Sequence, residues 1–136
     1  MSPPSDERGP TEPSTSEHDL LITLVDEGRR REGRLASGAI QASEGGPSAR
    51  ETLEELRTEA HALKGAAAVL GQTRLFELGR ALEDKLAAAV DDGRIDPGKA
   101  ETIGRAARAY VEGAEAAVNG TAEPPSVLAS IEDLAA

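Results

Sequence analysis

Apolar residues along the chain recur in four runs at helical spacing. The first run spans about Asp19 to Ala42, with Leu21, Leu24, Val25, Leu35, Ala39 and Ile40 near one face. Gly28, Gly33 and Gly38 interrupt it, each costing up to about 1 kcal/mol relative to alanine, so this helix is expected to bend or fray without tertiary support. A turn follows over Glu44 to Pro47. The second run is cleaner: Leu53, Leu56, Ala60, Leu63, Ala67 and Leu70 alternate at spacings of three and four, which makes one continuous seam. Ser48 and Glu51 read as a capping box at its start, and Gly71 stands where a glycine closes a helix. The third run starts near Thr73 and turns Leu75, Leu78, Leu82, Leu86 and Ala89 inward, ending at Asp91, Asp92 and Gly93. In the fourth, Asp96 caps and Pro97 opens a helix whose seam is Ala100, Ile103, Ala107, Tyr110, Ala114 and Ala117, closing at Asn119 and Gly120. Four seams joined by short turns predict an all-α, antiparallel, up-down-up-down four-helix bundle.

The segments flanking these runs differ in character. Residues 1–17 are rich in Pro, Ser, Thr and Glu and offer no apolar face, so a disordered N-terminal tail is expected there. The bundle occupies 18–119. Residues 120–136 read as an acidic tail in which Ser126 to Leu134 can form one short extra helix, packed or loose, after Pro124 and Pro125 prevent a simple continuation.

Composition supports the helical reading. Among 136 residues there are 24 alanines and 14 leucines against one Phe, one Tyr and no Trp. Twelve arginines against three lysines suggest a GC-rich bacterial genome. The formal charge is −10, but residues 20–119 hold 17 acids and 14 bases, so most of the imbalance lies in the flanks. An acidic chain disfavours nucleic acid and anionic membranes as partners. With no cysteine, thiolate chemistry and cysteine-ligated metals are excluded, and two histidines are too few for a metal hydrolase. Neither a secretory signal nor a membrane-length apolar run is visible, so a cytoplasmic protein is expected.

The candidate chemistry lies beside the second seam. His61 follows Ala60 by one position and therefore points toward the rim, with Arg57, Lys64, Gly65 and Ala68 on its side of the helix. A lone helical histidine is ordinarily a solvated surface residue. Gly65 distinguishes this one, because a glycine inside a helix is unfavourable and makes room for close approach. His18, at the edge of the tail, has no site role in this reading.

The string from His61 through Lys64 and Gly65 to Leu70 and Gly71 resembles the signature of histidine phosphotransfer (HPt) domains, and the likeness continues through Leu75, Leu78, Leu82 and Glu83. The resemblance implies a phosphocarrier of a two-component phosphorelay, with His61 as phosphoacceptor. Lys64 would be the charge partner of the phosphoryl oxygens, and Arg57, Gly65 and Ala68 the surface that meets the partner. Glu83 matches the family's glutamate that orients the histidine; an ordinary rim salt bridge is the other reading. The implied partners are a response-regulator receiver domain and a histidine kinase. No cofactor of the chain's own is implied, since the receiver would supply Mg²⁺ and most of the catalysis, and a monomer is expected. Two alternatives remain: a helical docking module that binds a receiver without carrying phosphate, and the phosphoacceptor domain of a chemotaxis-type kinase. The second is disfavoured by Arg80, which stands where such domains often carry another histidine.

Overall fold

The computed structural model describes residues 15–136, which form five α-helices: α1 (Thr15–Ser43), α2 (Ala49–Val69), α3 (Thr73–Asp92), α4 (Pro97–Asn119) and α5 (Pro125–Ala135). Helices α1 to α4 follow each other around a four-helix bundle, each packing on its chain neighbour, with α4 closing back on α1. The expected unstructured tail ended at residue 17; residues 1–14 lie outside the described residues, and residues 15–17 instead make the first turn of α1. Glu17 in that turn places a negative charge where the helix dipole favours it.

The core is leucine and alanine. Leu24, Leu35, Leu53, Leu63, Leu78, Leu82, Leu86 and Ile103 are fully buried, and alanines 39, 60, 67, 100, 106 and 114 fill the remaining seam positions with side chains small enough for close helix approach. Tyr110 is the largest buried side chain. Three expected seam residues stand elsewhere, among them Ala117, which is only half-buried near the end of α4. Ile40 is exposed, because the buried stripe of α1 runs through Leu35, Ala39 and Ala42 and leaves its neighbour on the rim. Leu70 is only half-buried, since it is the C-cap of α2 and packs on the edge of the core.

The glycines of α1 do not break it. Gly28 seats the Tyr110 ring and Val111, and Gly38 seats Leu56, so both positions trade helix propensity for packing. The start of α2 differs from expectation: the Ser48 side chain makes no capping hydrogen bond, and only its backbone carbonyl accepts, from Thr52 N–H at 3.0 Å. The other ends form as predicted. Gly71 has φ 66°, with Gln72 N–H bonded to the Ala67 carbonyl and Gly71 N–H to that of Ala68, the paired bonds of a Schellman closure. Asp96 accepts from Lys99 N–H at 2.9 Å in front of Pro97.

The C-terminal segment is packed. Helix α5 lies against α3 and α4, with Val127, Ser130 and Leu134 buried. Gly113 of α4 makes this fit possible: a Cβ there would meet Leu75 Cδ2 of α3 at 2.7 Å and Val127 Cγ2 of α5 at 3.1 Å. Replacing Val127 by Ala removes two methyl groups from that junction. The expected cost is about 2 kcal/mol in unfolding free energy. Denaturant titration checks it, and an unchanged midpoint would mean that α5 contributes nothing to the fold.

Candidate functional site

The seam of α2 fixes where its other residues point. With Ala60, Leu63 and Ala67 buried, His61 emerges beside the core and Lys64 lies at the α2–α3 border. The His61 side chain is 67% exposed. Helix α3 presents Glu83 immediately after the buried Leu82, and its carboxylate is divided between two partners. Its Oε2 lies 2.8 Å from His61 Nδ1, and its Oε1 lies 2.5 Å from Lys64 Nζ.

This arrangement selects a tautomer. An ionised carboxylate only accepts hydrogen bonds, so Nδ1 carries the proton and donates it to Glu83. The lone pair of the neutral ring is then on Nε2, to which no group among the described residues is bonded. Glu83 remains ionised: the hydrogen bond from Lys64, aided by that from His61, holds its carboxyl below the ordinary carboxylate value, outweighing the opposing effect of partial burial.

Of the residues expected at the site, the structure brings His61, Lys64 and Glu83 into one hydrogen-bonded group. Lys64 is not a free charge; it is paired with Glu83. Arg57, Gly65 and Ala68 share the exposed side of α2. A Cβ built on Gly65 would meet nothing within 4 Å, so nothing within the described residues requires a glycine there for packing. Val69, one turn beyond Gly65, is 83% exposed and extends the same face with an apolar side chain.

Two contacts that hold the site were not singled out in the sequence. The buried Tyr110 hydroxyl of α4 donates to the Leu63 carbonyl at 2.7 Å, two residues beyond His61. Burial pushes the Tyr110 phenol well above its usual range, so it stays a donor at all ordinary pH. The other contact is Gly79 of α3, which lies against the backbone of Lys64. Its signal lies in the sequence, since a glycine inside a helical run, like Gly65, costs helix propensity and points to a close approach. On the opposite side, Glu59 of α2 is tied to α1 by Arg31 at 2.5 Å and Arg34 at 3.2 Å.

Compared with known proteins, residues 19–120 match the family model described as Hpt domain. No curated protein and no solved structure matches the chain. None of the helices among the described residues is long and apolar enough to cross a membrane.

The lowered Glu83 pKa has a consequence for stability. A carboxyl whose folded-state pKa is depressed contributes stability that is complete above its unfolded value, near 4.5, and is lost as pH falls through the folded value. Wild type is therefore expected to exceed Glu83→Gln in unfolding free energy at pH 6, and the difference should shrink as pH falls below 4.5 and vanish once it has passed the depressed folded-state value. Denaturant titrations over that range check this; a constant difference would mean that the Glu83 charge contributes nothing.

Proposed function

The chain belongs to the Hpt domain family, and on that premise we propose that it is a phosphocarrier in which His61 is the phosphoacceptor. Family membership carries a histidine phosphotransfer role in phosphorelay signalling, and domains of this kind interact with receiver domains and histidine kinases. The observation that supports His61 is the anchoring of its Nδ1 by Glu83 on a side chain that is otherwise exposed.

The proposed step is direct. The Nε2 lone pair attacks the phosphorus of a receiver aspartyl-phosphate. The N–P bond forms as the P–O bond to the aspartyl carboxylate breaks, and that carboxylate leaves with the electron pair. Positive charge grows on the ring during attack, and the Glu83 carboxylate at Nδ1 offsets it without taking the proton. Transfer onward to another receiver reverses the sequence. Phosphoryl transfer depends mainly on in-line positioning and charge neutralisation. Lys64 lies one turn from His61 and can exchange its bond to Glu83 for one to a phosphoryl oxygen. Mg²⁺ and most of the catalysis are assigned to the receiver. Arg57, Gly65 and Ala68 form the approach surface, where the absence of a side chain on Gly65 admits the partner's loops.

The test is a transfer assay. Receiver domains from the source organism are charged with a small-molecule phosphodonor and Mg²⁺, and acid-labile label is followed onto this chain. Wild type is expected to take up label and His61→Gln to take up none, with helicity and Tm nearly unchanged because the side chain is exposed. Lys64→Ala should slow transfer without removing the acceptor. A receiver that binds but never transfers would favour a docking module, and a large loss of stability in His61→Gln would make His61 a structural residue.

A further inference from the structure

Gly79 sits in the interior of α3, where glycine is less favourable than any residue except proline. Contact accounts for its presence. A Cβ built on Gly79 would lie 2.8 Å from the Cα of Lys64, 2.9 Å from its N and 3.1 Å from its Cβ. Among the described glycines, only Gly79 would bring a Cβ within 3 Å of the backbone of another helix; the other close contacts are with side chains, which can rotate aside. Helical backbone cannot. To restore ordinary carbon–carbon contact at about 3.5–4.0 Å, α3 would have to retreat from α2 by about 0.5–1 Å.

That retreat would act where the site is most sensitive. Glu83 is four residues after Gly79 and so shares its face of α3. Its two oxygens reach His61 at 2.8 Å and Lys64 at 2.5 Å. Lengthened by about 0.5–1 Å, the bond to the His61 ring passes out of the useful range, whereas the shorter one to Lys64 can survive the smaller shift, so the ring is the first to be released. The geometry points to Gly79 as a positioning residue: the missing Cβ sets the α2–α3 separation at which one carboxylate holds both the His61 ring and the Lys64 ammonium. The consequence for transfer rests on the phosphocarrier reading, whereas the consequence for the His61 tautomer does not.

The experiment compares wild type, Gly79→Ala, Glu83→Ala and the double variant. Ring nitrogen NMR of His61 reports the tautomer, and the receiver assay reports the rate. In wild type the Nδ1–H form should dominate. Gly79→Ala should shift the ring toward the Nε2–H form and slow transfer about tenfold, as loss of a group that orients a histidine does. Glu83→Ala should do the same, and the double variant should be no slower than Glu83→Ala alone, because both changes remove one interaction. Gly33→Ala, in a helix position with nothing within 4 Å, serves as the control that gains helix propensity and changes neither readout. It also provides a stabilised background in which Gly79→Ala can be measured should the single variant not fold.

An unshifted tautomer in Gly79→Ala overturns the proposal, whatever happens to the rate. Losses that multiply in the double variant also overturn it, since Gly79 would then act by another route. Should wild type accept no phosphoryl group from any receiver, the phosphocarrier reading fails, and the NMR comparison still decides the role of Gly79.

Discussion

At the height of Lys64 and Gly79, α2 and α3 run closer than any side chain between them would allow, and the chemistry of the site depends on that separation. A carboxylate on a short, two-methylene reach from α3 can bond a ring and an ammonium on α2 only when the helices are this near. One turn in either direction, leucines and alanines take over the interface, so the polar group lies at the margin of a dry seam. Partial burial strengthens its hydrogen bonds, and exposure leaves the histidine open to a partner.

The same stretch of α2 is held from other directions. Arg31 and Arg34 of α1 bind Glu59, Tyr110 of α4 bonds the Leu63 carbonyl, and α3 meets Lys64. These contacts differ in worth. Exposed ion pairs such as Arg80 with Asp84 contribute little in water. The bond from Tyr110 is fully buried and its loss would strand a donor or a cavity in the core. The backbone around His61 is thus fixed by three neighbouring helices, while the ring itself is fixed by one carboxylate. Rigid support beneath an exposed nucleophile is what in-line transfer requires, because the entropy of alignment is removed before the partner arrives.

Most of the bundle was legible in the sequence because its signals are local. The alternation of threes and fours in α2 and α4, the glycines that close three helices, and Asp96 before Pro97 each act within one or two turns. His61, Lys64 and Glu83 were legible as members of a motif, though the division of one carboxylate between the other two was not. Interactions across helices escaped for a physical reason. Glycine at position 79 costs propensity in any helix, and only the neighbouring backbone shows what is gained. Ser48 and Glu51 fit a capping pattern that the turn at Gly45 and Gly46 did not adopt. Whether Ser126 to Leu134 would pack depended on the gap at Gly113, which no periodicity encodes.

Tyr110 has an optical consequence. It is the single tyrosine of a chain without tryptophan, and Phe76 is the only other aromatic side chain. Near-ultraviolet absorption beyond the phenylalanine bands therefore comes from one ring, clamped between Gly28 of α1 and the carbonyl of Leu63. Circular dichroism in that band reports the environment of a single phenol attached to the backbone beside His61. The molecule carries a built-in chromophore, and the packing of α4 against the backbone beside His61 can be followed there without any added label.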